Sequence, residues 1–440
     1  MWSRRVPAHA NRAYRRPMRL ILVLAMMLAL ATPAQAASGC GNVRVPGASK
    51  QELSCLDDLT TTGTLVTGHT VQADWAGLTS AGLPAPKGVP GIQIDGYFPD
   101  TSTANTAHGW NHDAQFVLRL PDRWNGGLVV TGSPGVRRQY ANDRAIGDQV
   151  LAAGYAFAAT DKGNTGADFH TDGRRPGDAL AEWNSRVTQL TIAAKAAVAH
   201  RYGRLPSRTL AAGMSNGGYL VRWQLENRPW LYDGGIDWEG TLWRADGPNL
   251  FTFLPPAIKA YPAYVAGSPQ AHQRILDAGF APGSEFLWQY HNDVYWGLTQ
   301  RIYQAEFDPA FTGTDYDYAT RPPSARRAVE RISLTGRIGK PLITLHGTLD
   351  TLLPITRDSD VYQRMIAEQG RAGLQRYYRI VDGNHVDGLY DAFPDKLRPI
   401  GPCFRTAFTA LEGWIDGVRP PVSATIPRGD GDLATSCALN

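Results

Sequence analysis

The chain has 440 residues, of which 43% are hydrophobic, 19% charged and 10% aromatic. That balance excludes a disordered or fibrous protein and leaves ample sequence for a large core, in one α/β domain with insertions or in up to about three domains. The net charge of +4 comes from residues 1–36, which hold six arginines and no acid. Beyond them 38 Lys+Arg face 40 Asp+Glu, a net charge of −2, so nothing argues for a nucleic-acid or anionic-membrane partner.

Residues 1–36 read as a secretory signal peptide: a basic stretch, an apolar run from Leu20 to Ala31, then the small-x-small site Ala34-Gln-Ala36. Twelve apolar residues are too few to cross about 30 Å of hydrocarbon, so no membrane span is expected. Met18 begins a complete signal of its own, and Ala37-Ser-Gly-Cys40 loosely resembles a lipoprotein box, with Ala37 where Leu is usual. Export agrees with the four cysteines, Cys40, Cys55, Cys403 and Cys437, whose even number suggests two disulfides. The preferred pairing is Cys40–Cys55 with Cys403–Cys437, because each bond closes a local loop at one end of the chain. Two other pairings stay open, one of which staples the termini together. No CxxC, HExxH or paired Cys/His spacing points to a metal.

Residues 37–110 are rich in Gly, Thr and Asp and read as an irregular N-terminal extension or edge-strand region. From about residue 114, short apolar runs alternate with helical stretches. Gln115–Leu120, Leu128–Thr131, Tyr155–Thr160, Thr209–Ala212, Leu342–Leu345 and Tyr377–Val381 read as strands, several ending at Gly or Asp as buried parallel strands do. Helices are expected over 184–202, with Asn184 as N-cap, and over 359–369 and 404–416. The alternation predicts an α/β fold, a mostly parallel central sheet with helices on both faces. Its core is expected in 111–243 and 326–420. Between the two lies 244–325, read as a helical cap: 15 of the 70 residues 251–320 are aromatic, and prolines punctuate them. Those aromatics serve the cap's own core, a substrate wall, or both. A short tail, 421–440, follows.

The sharpest motif is Gly213-Met-Ser215-Asn-Gly217, between a strand and a plausible helix. A G-x-S-x-G there is a nucleophile elbow: the serine sits on a strained turn that leaves no room for neighbouring side chains, and the next helix aims its N-terminus at the developing oxyanion. A serine needs a base, and the base an orienting acid. Asp350, past a strand in Leu345-His-Gly-Thr-Leu-Asp350, and His385, in Asp382-Gly-Asn-His385, supply them in the order Ser, acid, His. His346 is expected to be structural and Asp387 solvated, while chain order disfavours Asp161. Asp237 and Glu239, after the strand that follows the elbow helix, are the alternative acids. The oxyanion hole needs two N–H donors. Asn216 gives one; the second is expected from the Thr131–Val136 loop, with Ser133 favoured over Gly135 and Val136. Arg137 and Arg138 beside it either bind a carboxylate or face solvent.

The elbow, the His346–Asp350 strand end and the Gly383-Asn-His385 loop resemble the α/β-hydrolase superfamily over roughly residues 110–420. The exported layout and the large insertion look like secreted bacterial esterases acting on tannin, feruloyl or hydroxybutyrate-oligomer esters. Tannases and feruloyl esterases often carry a Cys directly before both Ser and His; here Met214 and Asn384 stand there. The resemblance implies a serine carboxylic-ester hydrolase working through an acyl-enzyme on small-molecule or oligomeric esters, with no cofactor or metal. Peptidases of the superfamily carry similar G-x-S-N-G-G elbows, so a secreted serine peptidase is the alternative reading, and a catalytically inactive binding protein a further one.

Overall fold

Along the central strands, consecutive residues go to opposite faces of one sheet. Val129, Leu210 and Ile343 pack into one buried cluster, while Val130, Ala211 and Leu342 pack into another. A strand covered on both faces is apolar at most positions, which is why these segments stand out as short apolar runs.

The computed structural model describes residues 41–429 and 437–439, so the segment 1–36 and Cys40 lie outside it. Ten strands form one sheet: β1 (Lys50–Leu56), β2 (Gly91–Tyr97), β3 (Gln115–Pro121), β4 (Gly127–Gly132), β5 (Ala156–Thr160), β6 (Arg208–Met214), β7 (Gly234–Trp238), β8 (Leu342–Gly347), β9 (Gln375–Ile380) and β10 (Ala424–Ile426). Their order is β1-β2-β3-β5-β4-β6-β7-β8-β9-β10. The pairs from β5 to β10 are parallel, and β1, β2 and β3 add an antiparallel edge. The edge strands β1 and β2, within residues 37–110, pair along seven residues each, from Lys50↔Tyr97 to Leu56↔Gly91. Of the two readings of this region the edge-strand one describes β1 and β2, and the pairing carries them.

The helices Asp178–Tyr202, Asn216–Asn227, Ser359–Glu368 and Gly401–Ile415 cover the faces. Asn184 is not an N-cap. The first of these helices starts at Asp178 after Gly177, and Asn184 lies buried inside it, its Nδ2 donating to the Tyr219 hydroxyl at 2.9 Å. The Arg-Pro-Gly that precedes Asp178 hides the true start. Cys403 and Cys437 are disulfide-bonded, which clips the chain after β10 onto the C-terminal helix. Cys55 is also in a disulfide.

Between β7 and β8 the chain forms helices, Leu250–Val265, Pro269–Ala278, Glu285–His291 and Gly297–Phe307 among them, and no strand. The first starts in a capping box, with Asn249 Oδ1 accepting from Phe251 N–H at 3.0 Å. Many of the aromatics pack on one another: the Trp243 ring lies 4.9 Å from Phe307, 5.3 Å from Tyr303 and 6.0 Å from Phe251. Trp296 Nε1–H donates to Thr351 O at 2.7 Å, and Glu306 accepts from Leu180 N–H, in the first turn of helix Asp178–Tyr202, at 3.1 Å.

Burial pushes the Glu306 carboxyl up to about 8. A carboxyl raised in the fold keeps a proton that the unfolded chain releases near pH 4, so this contribution is full below pH 4 and is lost as pH rises towards 8. Glu306→Gln keeps an acceptor and carries no proton. The variant is therefore expected to gain on wild type in thermal unfolding between pH 4.5 and 8.5. A difference equal at both pH values would contradict the assignment.

Candidate active site

β6 runs straight into Ser215, and helix Asn216–Asn227 leaves it. Ser215 has φ 57° and ψ −122°, a conformation that costs an L-residue of order 1–3 kcal/mol and persists only where its surroundings impose it. Its N–H donates to Trp238 O at 2.9 Å and its carbonyl accepts from Tyr219 N–H at 2.9 Å. The flanking glycines make room for the turn. A Cβ on Gly213 would lie 2.2 Å from Gly217 O, and one on Gly217 would lie 2.5 Å from Gly132 O.

The loops after β8 and β9 bring Asp350 and His385 to the same strand ends. His385 Nε2 lies 3.0 Å from Ser215 Oγ, and His385 Nδ1 2.9 Å from Asp350 Oδ2. Asp350 Oδ1 accepts from the N–H groups of Leu352 and Leu353, both at 2.8 Å. Burial alone would raise the Asp350 carboxyl, but the charge and hydrogen bonds of His385 and His346 outweigh it and hold the group well below the usual carboxylate range. An acid so placed fixes the imidazole with Nδ1 protonated and Nε2 turned to the serine, the tautomer that can accept its proton.

Behind Asp350 the network continues. His346 Nε2–H lies 3.1 Å from Asp350 Oδ2 and donates to Leu353 O at 2.9 Å, and His346 Nδ1 meets Ser359 Oγ at 2.7 Å. Arg222, fully buried on the elbow helix, donates to Ser359 Oγ, Asp237 Oδ2 and Asp358 Oδ1, each at 2.7 Å. Asp237 is thus committed to Arg222. Glu239 stands closer to the chemistry: its Oε2 lies 3.7 Å from His385 Nδ1, and its Oε1 accepts from Gly347 N–H at 2.6 Å. Burial first, and then the charge of Asp350, push the Glu239 carboxyl well up. Glu239, His346 and Asp350 bring possible ligand atoms within 4.8 Å of one another, as do Asp100, Asp172 and Glu182. In the first group both ring nitrogens of His346 already have partners.

Two expectations are corrected. Ser133 does not present its N–H to the site: sheet pairing continues one residue past β4, and that N–H donates to Thr160 O at 3.0 Å. Ser133 Oγ donates to Arg137 O at 2.6 Å and accepts from Lys162 Nζ. Lys162 is buried over the Trp183 ring, and burial pushes its ammonium down to about 7. Gly135 and Val136, by contrast, line the cavity, and their N–H groups have no acceptor among the described residues. The Asn216 N–H, first in its helix, has no intrahelical partner. Asp387 is not solvated. It is buried, and its carboxylate accepts from Ile400 and Gly401 N–H at 2.6 and 2.7 Å.

Ser215 and His385 open into a cavity of about 270 Å³. Leu78, Val136 and Met214 come from the core side, and Leu250, Tyr295, Leu298, Ile302 and Tyr303 from the helices between β7 and β8. Sequence reasoning missed His291, which also lines it. Burial pushes His291 down to about 4, so it is neutral.

No family model matches the chain. Over 139 residues it is 31% identical to mono(2-hydroxyethyl) terephthalate hydrolase of Piscinibacter sakaiensis, covering 29% of this chain and 23% of that one. Over 147 residues it is 29% identical to D-(-)-3-hydroxybutyrate oligomer hydrolase of Cupriavidus pinatubonensis, covering 30% of this chain and 20% of that one. The matches thus span less than a quarter of either relative's length. Among solved structures, feruloyl esterase B from Aspergillus oryzae superposes with a TM-score of 0.55 over 86% of this chain and 89% of that one, at 14% identity. A second esterase from the same organism gives 0.54 at 14%. The chain has the α/β-hydrolase fold. Within that fold the four loops after β4, β6, β8 and β9 meet at the carboxyl ends of parallel strands, where α/β sheets place their ligands.

The Arg222 network gives the site a measurable dependence. Arg222→Gln leaves Asp237 and Asp358 buried against a neutral partner, and breaking a buried ion pair costs about 3–5 kcal/mol. Urea unfolding is expected to show a loss of that order. A loss below about 1 kcal/mol would mean that water or rearrangement satisfies both acids.

Proposed function

We propose that the protein is an exported serine carboxylic-ester hydrolase, with Ser215 as nucleophile, His385 as general base and acid, and Asp350 as the orienting acid. The observation that carries this reading is the hydrogen-bonded line Ser215–His385–Asp350 at the edge of an apolar cavity, with the serine on a strained strand–helix turn. The hydrolase and esterase names of the relatives and of the proteins that share the fold support it.

In this reading His385 Nε2 takes the Ser215 proton while Oγ attacks the ester carbonyl. The resulting oxyanion is held by the N–H of Asn216 and that of Gly135 or Val136. The C–O bond breaks and the alcohol leaves with the proton from His385. Water, deprotonated by His385, then attacks the acyl-enzyme, and the acid leaves as Ser215 regains its proton. The apolar cavity suits a bulky, aromatic or hydroxyalkanoate ester, and the relatives' names point to aromatic and hydroxybutyrate esters. The basic, apolar and small-residue pattern of residues 1–36 and the Cys403–Cys437 bond support export, because disulfides persist in oxidising compartments.

The test is the mature chain from Ala37 assayed on nitrophenyl butyrate. Ser215→Ala and Asp350→Asn are each expected to lower kcat/KM at least about a thousandfold. A fluorophosphonate probe should label wild type and not Ser215→Ala. An inert, unlabelled wild type would sink the reading, and turnover of aminoacyl amides in preference to esters would replace it with the peptidase.

A further inference from the structure

The cavity wall holds one permanently charged side chain. Arg137 is the single Asp, Glu, Lys or Arg among its lining residues, and most of the others are aliphatic or aromatic. His291, neutral, adds no charge. A lone guanidinium in such a wall needs an explanation, because nothing in the packing of an apolar cavity calls for one.

The head of Arg137 is fixed and only partly used. Its Nη1 donates to the backbone carbonyls of Asp74 at 2.8 Å and Ala76 at 3.2 Å. Nε and Nη2, the edge that forks onto a planar anion, have no acceptor among the described residues. The nearby carboxylate of Asp74 is taken by the neighbouring arginine: Arg138 reaches Asp74 Oδ1 through Nε at 2.7 Å and Nη2 at 2.6 Å. Two guanidinium groups against one carboxylate leave one positive charge at the wall. Arg137 also ends the loop whose Gly135 and Val136 line the site next to Ser215, and its carbonyl is tied to Ser133 Oγ at 2.6 Å.

We propose that Arg137 anchors a carboxylate of the substrate: the ester that this site cuts carries a second, free acid group, as do the monoester of a dicarboxylic acid and an oligomer of hydroxy acids with a free acid end. The inference rests on the reading of Ser215 as nucleophile and deepens it. The anchored carboxylate is unchanged by the reaction. One water is consumed, the acyl C–O bond breaks, and an alcohol and a new carboxylate leave with one proton. The guanidinium edge offsets the cost of taking the substrate's charge out of water, and a neutral ester gives that edge no charge to bind.

The test uses two matched pairs: nitrophenyl hydrogen glutarate against its methyl ester, with the acid in the acyl part, and 3-(butyryloxy)benzoate against its methyl ester, with the acid in the alcohol part. In at least one pair wild type is expected to favour the acid at least about tenfold in kcat/KM, and Arg137→Gln to lower that ratio about 10- to 100-fold, the worth of one charge-assisted hydrogen-bonded contact. Arg137→Lys should keep part of the ratio. The readout is a ratio within one protein, so a general loss of activity in a variant does not mimic it. A wild-type ratio near one in both pairs, or a ratio that survives Arg137→Gln, overturns the anchor. If the neutral esters are still cut in a Ser215-dependent way, the esterase reading stands without it; if no ester is cut, both fall.

Discussion

The site is held by a ring of hydrogen bonds that closes on one buried cation. From Ser215 the line runs to His385, Asp350, His346 and Ser359, and from Ser359 to Arg222, two turns along Ser215's own helix. The links come from five elements: the elbow helix, the loops after β9 and β8, the end of β8 itself and the helix that starts at Ser359. Separate loops after three strands would drift relative to one another. A guanidinium with fixed planar donors, out of water, allows them one arrangement. The charges also fit this. Arg222 answers Asp237 and Asp358, the hydrogen bonds from His346 and His385 hold the Asp350 carboxyl down, and burial beside Asp350 pushes the Glu239 carboxyl well up.

The opposite wall uses the same device on a smaller scale. Ser133 is spent on the sheet and on Arg137 O, and Lys162 holds its hydroxyl from below. With the ammonium pushed down to about 7 by burial, the Lys162–Ser133 pair costs less than a permanent buried charge would. The loop is thereby pinned at its first residue, and Gly135 and Val136 come to the cavity with their N–H groups uncommitted. Ser133 matters to the site through the position it gives its neighbours.

What was legible in the sequence followed from local rules. Buried parallel strands announce themselves as short apolar runs, and the elbow as glycines around a serine; Asp350 and His385 sit at strand ends in the expected order. What was hidden depends on distant pairing. β1 and β2 are strands because they pair with each other and β2 with β3. Arg222 reads as one more polar helix residue until Asp358 and Ser359, 136 and 137 residues away, turn up beside it. Asp387 looks exposed beside a glycine, yet the N-terminus of helix Gly401–Ile415 takes its carboxylate. The role of Ser133 is hidden for a related reason: a strand's last hydrogen bond belongs to its neighbour strand and leaves no trace in its own sequence.

The helices between β7 and β8 are more than a cover over the cavity. Asn216, which lines the cavity, has a side chain bonded on three sides: its Nδ2 donates to the Tyr303 hydroxyl at 2.5 Å and to Gly135 O at 3.2 Å, and its Oδ1 accepts from Thr241 at 3.0 Å. Tyr303 belongs to helix Gly297–Phe307 and packs on Trp243 and Phe169. One amide therefore couples the inserted helices to the elbow and to the loop on the other wall. A ligand that shifts Tyr303 must strain Asn216 or break its bond. In an enzyme working as proposed, differences between substrates in the apolar wall would appear in kcat as well as in KM, because the wall and the oxyanion donors share a residue.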